Sequence, residues 1–364
     1  MNAKNLWRRA VSNNMSRTIM KSVLLSASVL FFFGCNSMPV DEQPVAEKTE
    51  DVKPAEEKKE NLVWDAGTVQ LEYHKKAPGV YAYYPTDAQE KNTKGYPVAT
   101  GGGFVVGNNE VLVVESMVNK RLAEQVMGFV KQVTDKPIGY VVNTSYHGDH
   151  AYGNYVFPKS AKIIQHSKAK AFMDNKEGFE ADKKFMVQYF GANRGIEDVV
   201  ARTADIVLED GARYEVDLGN KKVEIRHFGF AQTEGDLFIW VPEDKVFWTG
   251  NPVVAQPPAL PWLLDGKHEE VLATLKKVRK FLPEDAVVVP GHGVPIKPKD
   301  IDFKIRYLEA LHKEVKNAVA QGMTVEEAQK TITLPDFQGY ALFGWVHSGV
   351  NVPNTYKDLS NISK

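Results

Sequence analysis

The sequence predicts a layered α/β fold, and three observations support that prediction. Short runs rich in Val, Ile, Phe and Tyr, bounded by Gly, Pro and Asn, are typical of strands. Between them, apolar residues recur at helical spacing, as at Leu122, Val126 and Val130. The alternation of strands and helices occurs in both halves of the chain, which favours sheets covered by helices.

Composition narrows the class of protein further. The 364 residues are 43% hydrophobic and 25% charged, and the net charge is −1. These values are those of a globular protein, and no basic excess indicates a nucleic-acid partner.

The first 35 residues read as an export signal. A basic segment contains Arg8, Arg9, Arg17 and Lys21. The apolar segment 23–33 is too short to span a bilayer and ends in Phe-Phe-Gly-Cys35, which resembles a bacterial lipoprotein cleavage box. Cys35 is the only cysteine, so a lipid-bearing residue explains it better than an incidental cysteine does. We expect a periplasm-facing lipoprotein of the cell envelope, with Asn36 favouring the outer membrane; translation could also start at Met15 or Met20.

The chain then divides into three further parts. Residues 36–61 are rich in Glu, Lys, Pro and Asp, and we interpret them as a disordered tether. A catalytic-type domain is expected over 62–300 and a helical extension over 301–364.

The predicted elements of the first half follow from periodicity and turn residues. Strands are expected at 79–84, 103–106, 111–115, 138–142 and 161–165, with Gly107-Asn-Asn as a hairpin turn. Helices are expected at 122–133 and 168–190.

The second half repeats the pattern. Strands are expected at 222–228, 236–241, 246–250 and 286–289, and helices at 269–281 and 304–320. Thr324 with Glu327 forms a capping-box signature for a last helix. We assign the aromatic tail 337–345, with His347, to core packing, and we treat five further histidines as structural or exposed: His74, His166, His227, His268 and His312.

The most informative stretch follows the strand at 138–142. There His147, Asp149 and His150 lie within four positions of one another. Two imidazoles and a carboxylate just past a strand end suit a divalent metal ion. A surface loop that happens to hold two histidines would not explain the motifs downstream.

These motifs resemble those of the metallo-β-lactamase superfamily. Residues 143–154 are similar to its metal-binding loop, His-x-His-x-Asp-His, with Ser145 at the first His. Residues 228–236 are similar to Gly-x-x-His-Thr-x-Gly-Asp, with Gln232 at the His. Residues 246–251 resemble the strand that ends in a metal-bridging Asp, here Asn251, and 289–293 resemble the last His motif, with His292.

The resemblance implies a four-layer αβ/βα sandwich with the metal loops along one edge. It also implies hydrolysis of a small-molecule substrate. It places a first metal site at Ser145, His147 and Gln232, which we expect to be empty or very weak because only His147 is a good ligand. The second site keeps Asp149, His150 and His292, with Asn251 substituted.

One Zn²⁺ is therefore expected. A two-His-one-carboxylate set also resembles non-haem iron sites, but the family and the exported location favour zinc. His147 and Asp149 are the candidate catalytic residues: His147, with an ordinary pKa of about 6.5, would act as general base or orient the water activated by zinc. Asp236 is assigned to hydrogen bonding within its loop. The expected substrate is an ester, thioester, lactone or amide.

Two other interpretations stay open. Loss of three ligand positions also suits an inactive binding or scaffold lipoprotein, in which Asp149, His150 and His292 hold the loops by hydrogen bonds. A β-lactamase proper is the third. The Pro-rich segment 251–262 is expected to border the cleft, with Trp262 contacting either substrate or the core.

Overall fold

The structure is a computed structural model, and it describes residues 63–362. The predicted export signal, Cys35 and the predicted tether lie outside the described residues.

Twelve strands within the described range form two sheets. Their bounds are β1 Leu71–Ala77, β2 Val80–Pro85, β3 Gly102–Val106, β4 Val111–Val114, β5 Ile138–Val142, β6 Lys162–His166, β7 Ile206–Leu208, β8 Arg213–Asp217, β9 Lys222–Arg226, β10 Phe238–Val241, β11 Val246–Gly250 and β12 Val287–Pro290. The first sheet has the order β1-β2-β3-β4-β5-β6-β7, and the second has the order β12-β11-β10-β9-β8.

The helices cover the outer faces of the sheets. Their bounds are α1 Ala88–Thr93, α2 Lys120–Val133, α3 Gly148–Ala151, α4 Ser167–Asp174, α5 Lys176–Phe190, α6 His268–Phe281, α7 Pro298–Ala320, α8 Val325–Thr331 and α9 Val352–Ile362. Three 3-10 turns span Tyr152–Val156, Asn251–Val253 and Pro335–Phe337, and a π-helix spans Gly344–Asn351.

Three apolar clusters separate four layers. Side chains alternate across a strand, so Val141 of β5 packs outward under α2, whereas Val142 packs inward against the second sheet. Leu112 and Trp248 belong to the cluster between the sheets. Phe238 faces away from it and packs with the helices of the second half. This is the αβ/βα sandwich that the sequence predicts.

The sheet order brings the loops of the site to one edge. Strands β4 and β5 are parallel, and so are β11 and β12. The carboxyl ends of parallel strands lie at the same edge, so the segments that follow these four strands meet there.

Most predicted elements are confirmed within a few residues, and the differences have local causes. The helix expected at 168–190 is two helices, because Asn175 leaves helical geometry and its side chain caps the second one by accepting from Gly178 N at 3.0 Å. Strands β1, β7 and β8 and the short helix α1 were not predicted. Strand β7 is only three residues long, and β1 and β8 are partly exposed and contain several charged residues.

The C-terminal helices share a core with the second sheet. Helix α7 crosses the predicted boundary at residue 300 without interruption, and its Leu308 and Leu311 join the cluster that contains Leu275 of α6. His347 is buried and lies 2.9 Å from Tyr307 Oη, which confirms a packing role for the tail. The domain boundaries themselves stay a prediction.

None of the helices in the described part of the chain is long and apolar enough to cross a membrane.

Candidate active site

The loop after β5 is held rigidly by its own buried amides. Asn143 donates through Nδ2 to the carbonyl of His150 at 3.1 Å and accepts from Asn154 Nδ2 at 2.8 Å. Both asparagines are fully buried. These bonds fix the turn in which His147 precedes the short helix α3, which begins at Gly148 and contains Asp149 and His150.

Three predicted ligands converge. Asp149 Oδ2 lies 3.4 Å from His150 Nε2 and 3.6 Å from His292 Nε2. Ligands about 2.0–2.1 Å from a tetrahedral zinc ion lie roughly 3.3 Å apart, so these spacings suit a cation at the centre. His292 arrives from the loop after β12, where Thr100 forms an antiparallel bridge with it.

The hydrogen bond made by Nδ1 of each imidazole determines whether Nε2, which faces the centre, carries a proton. His292 Nδ1 lies 2.9 Å from the carbonyl of Val98, which can only accept, so Nδ1 carries the proton. His150 Nδ1 lies 3.1 Å from Glu115 Oε1, which fixes the same tautomer in a neutral ring. When both rings are neutral, both Nε2 atoms present lone pairs to the centre, which is the form that binds a metal ion.

The carboxylates govern the charge of the cluster. Burial raises the pKa of Asp149, but His150, His292 and a 2.5 Å hydrogen bond from Thr100 Oγ1 outweigh it, and the pKa is lowered. Burial opposes protonation of His150, yet Asp149 and Glu115 raise its pKa to about 9. Burial lowers the pKa of His292 to about 4. At neutral pH Asp149 is thus negative, His150 is positive and His292 is neutral, and a cation that binds among them would displace the proton from His150 Nε2.

Asn251 lies among the histidines. Its Oδ1 lies 3.0 Å from His150 Nε2 and 2.9 Å from His292 Nε2, and its Nδ2 lies 3.0 Å from His147 Nδ1. Gly250 brings the chain there at φ 60 and ψ −155. A Cβ atom on Gly250 would lie 2.3 Å from Thr144 Oγ1, so glycine is required at this close approach.

The other predicted first-site positions are Ser145 and Gln232. Ser145 Oγ accepts from His147 N at 3.3 Å. Gln232 is 4% exposed, and neither polar atom of its amide has a hydrogen-bond partner among the described residues. Asp236 holds the Gln232 loop, because its Oδ2 accepts from the backbone of Gln232 and Thr233 at 2.6 Å each.

His147 differs from the sequence-based expectation in its basicity. Burial lowers its pKa to about 4, with Asp149 opposing this shift, so it does not keep the ordinary value. The ring is therefore neutral at pH 7, and its chemistry depends on which nitrogen holds the single proton.

A second cluster of possible ligands shares no residue with the first. It consists of His166, Asp210 and His227. Here His166 Nδ1 accepts from Lys168 N at 3.2 Å and His227 Nδ1 accepts from Gly211 N at 2.9 Å. In a neutral ring the proton then sits on Nε2, so these histidines are donors and do not suit a metal ion.

Sequence reasoning missed the groups behind the ligands. Glu115 is buried at φ 71, and its Oε1 also accepts from Thr144 Oγ1 at 2.5 Å. An acidic residue ending an apolar strand beside the metal-loop strand was a usable signal. Thr100 and the Val98 carbonyl had none.

Trp262 belongs to the Pro-rich segment 251–262 that was expected to border the cleft. Trp262 is half-buried and meets Trp345 edge to face at 5.2 Å, which is a packing contact. Tyr146 stacks on Phe172 at 4.2 Å and borders His147.

Comparison with known proteins places this geometry in a family. Residues 102–292, more than half of the chain, match the family model described as "Metallo-beta-lactamase superfamily". A curated relative, the linear primary-alkylsulfatase of Pseudomonas sp. (strain ATCC 19151), is 22% identical over 265 residues, which are 62% of this chain and 48% of the relative. The chain thus spans about half the length of that relative.

Solved structures show the same fold. The stereoselective inverting sec-alkylsulfatase Pisa1 from Pseudomonas sp. superposes with a TM-score of 0.61 at 16% identity, covering 80% of this chain and 50% of the other. A metallo-beta-lactamase from Pontibacter korlensis gives a TM-score of 0.51 at 15% identity, covering 66% and 99%. The match of the family model extends from β3 to His292, and the chain belongs to the metallo-beta-lactamase superfamily.

Proposed function

We propose that this protein is a hydrolase that uses one divalent cation, zinc, held by Asp149, His150 and His292. The observation that carries the proposal is the convergence of Asp149 Oδ2 with two imidazole Nε2 atoms, which present lone pairs when the rings are neutral. Hydrogen bonds within the cluster do not explain it, because no proton is available between His292 Nε2 and Asn251 Oδ1. This argues against the inactive scaffold.

A bound zinc ion supplies Lewis-acid polarisation and activates water for attack on the scissile group. The chain's own residues orient the reactants. The Nδ1 atom of His147 contacts Asn251. Its Nε2 atom would form a hydrogen bond with the substrate or with the water. Net hydrolysis forms one bond from the water oxygen to the electrophilic atom, and the leaving group departs with a proton.

Gln232 is a candidate for binding the polar part of the substrate. A buried amide without partners costs roughly 1–3 kcal/mol, so a ligand that satisfies it gains that much. The loop is tied to the metal loop by Leu237 N, which donates to the Thr144 carbonyl at 2.8 Å.

The substrate class is proposed from two sources. The family chemistry suggests an ester, thioester, lactone or amide. The alkylsulfatase relative adds alkyl sulfates, whose scissile bond ends at an oxygen, as it does in an ester or a lactone.

The test is metal content by elemental mass spectrometry of the full chain in detergent, after zinc loading and gel filtration. We expect about one zinc per chain, lost in Asp149→Ala and kept in His147→Ala. No bound zinc would overturn the proposal, and two zinc ions per chain would show that Ser145 and Gln232 bind metal after all.

A loaded chain would then be tested on 4-nitrophenyl acetate, a thioester, a lactone, dodecyl sulfate and a chromogenic cephalosporin. Turnover of the cephalosporin alone would favour a β-lactamase. No turnover of any of them by a chain that holds zinc would contradict these substrate classes.

We also propose that Cys35 carries lipid and holds the domain at the periplasmic face of a membrane, the outer membrane being favoured. The apolar segment before the only cysteine supports this. Metabolic labelling with a radioactive fatty acid should mark the wild type and not Cys35→Ser.

A further inference from the structure

The amide of Asn251 faces two different sets of nitrogens. Its Oδ1 points at His150 Nε2 and His292 Nε2, and its Nδ2 points at His147 Nδ1. An amide oxygen only accepts hydrogen bonds and an amide nitrogen only donates them. The two ends therefore make different demands on the rings they face.

At the oxygen end, Asn251 Oδ1 faces a ring nitrogen that has no proton to donate. His292 Nδ1 gives its proton to the Val98 carbonyl, so a neutral His292 has a lone pair on Nε2, 2.9 Å from Oδ1. His150 reaches the same state through Glu115 once a cation displaces the Nε2 proton that the ring holds at neutral pH. Together with Asp149 Oδ2, these atoms form a set of four that a cation, and not a hydrogen bond, would reconcile.

At the nitrogen end, the consequence concerns His147. Because Asn251 Nδ2 donates, His147 Nδ1 must accept. A neutral imidazole has one proton, which must then be on Nε2. His147 Nε2 is accordingly a hydrogen-bond donor.

We propose that Asn251 is a fourth, neutral ligand of the cation and that, through its amide nitrogen, it holds His147 as the Nε2–H tautomer. This rests on the proposed function. His147 then donates a hydrogen bond from Nε2 to the leaving oxygen of the substrate and keeps its single proton, because a neutral imidazole that lost it would become an imidazolate. In hydrolysis the proton taken by the leaving oxygen comes from the attacking water. Asn251 is a positioning residue for this step.

The residue type at 251 decides the outcome. A carboxylate there has no proton to donate, so it would accept from His147 Nδ1–H and leave a lone pair on Nε2. Asn thus makes His147 a donor and Asp would make it an acceptor. This contrasts with the general-base role expected from the sequence.

The experiment is two-dimensional long-range ¹H–¹⁵N NMR on histidine-labelled, otherwise deuterated full chain, with zinc bound and after chelation. The His147 signals are assigned by their loss in His147→Gln. With zinc, we expect Nε2–H in the wild type and Nδ1–H in Asn251→Asp. Asn220→Asp makes the same change of charge at an exposed position and should leave His147 unchanged.

Zinc affinity provides a second readout. Asn251→Ala should bind zinc at least about tenfold more weakly, because a ligand is lost, and Asn251→Asp should bind it more tightly. If Asn251 were only a hydrogen-bonding competitor of zinc, Asn251→Ala would bind more tightly, so the sign of the change distinguishes the two roles.

The outcomes separate the two proposals. A zinc-loaded wild type with the proton on His147 Nδ1 overturns the inference about Asn251 and leaves the hydrolase proposal standing. A chain that holds no zinc overturns the proposed function, and the ligand role of Asn251 with it.

Discussion

At the scale of residues, the position of each ring proton separates the proposed metal ligands from other buried histidines. His292 donates outward to a carbonyl, whereas His166 and His227 accept from backbone N–H groups. The sequence predicts the residue types of the metal loop, because His147, Asp149 and His150 are adjacent. It could not predict the tautomers, since Val98 and Thr100 reach the site only through the fold.

Glu115 should act on the metal site without touching the ion. Glu115→Gln removes the charge beside His150 Nδ1 and weakens its orientation, and we expect zinc affinity to fall roughly 10–100-fold. Competition with a fluorescent chelator measures this. The exposed Glu124→Gln is the control, and equal affinities in both variants would contradict the role of Glu115.

Gln232 should show opposite effects on stability and on substrate binding. Gln232→Leu removes a buried amide that lacks partners, and we expect about 1–3 kcal/mol of added stability in denaturant unfolding. The same variant should raise KM for the substrate identified by the screen. Added stability with unchanged KM would mean that the amide does not bind substrate.

At the scale of elements, strand ends and turns were predictable where the pattern was local. The hairpin between β3 and β4 and the capping box at Thr324 are both present. The break at Asn175 and the short strands β7 and β8 were not predictable, because tertiary contacts decide them.

The turn from β11 into Asn251 depends on glycine. Gly250→Ala places a Cβ atom 2.3 Å from Thr144 Oγ1 at φ 60, and we expect a loss of about 1–3 kcal/mol and weaker zinc binding. Gly322→Ala, at φ 69 with no neighbouring atom within 4 Å, measures the conformational cost alone. Equal stability losses and intact zinc binding in both variants would show that the close approach is unimportant.

At the scale of the whole molecule, the four layers follow from alternation along each strand, which the sequence displays. The extension 301–364 was predicted as helical. Its helix α7 packs into the apolar cluster outside the second sheet through Leu308, and Lys304 of the same helix is buried there. Lys304 is fully buried and donates to the carbonyl of Ala259, in the segment that follows Asn251.

Lys304 should make stability depend on pH. Burial lowers its pKa to about 7 from 10.5, so between these values the unfolded chain binds more protons and the free energy of unfolding rises with pH. Lys304→Met lacks this contribution. The free energy of unfolding of Lys304→Met minus that of the wild type should therefore fall by up to about 1.4 kcal/mol per pH unit from pH 7 to 10. Urea unfolding at several pH values measures it. Lys299→Met, exposed on the same helix, should follow the wild type, and a Lys304→Met curve parallel to the wild type would contradict the assignment.

The residue after Asn251 is Pro252, the second residue of the 3-10 turn Asn251–Val253. Asparagine is deamidated to aspartate when the backbone nitrogen of the next residue attacks its side chain. Proline has no N–H and cannot make this attack. The chain is thus protected at this position against the spontaneous loss of ammonia that would convert Asn251 into the residue with the opposite effect on His147. An old population of molecules would keep the chemistry with which it was synthesised.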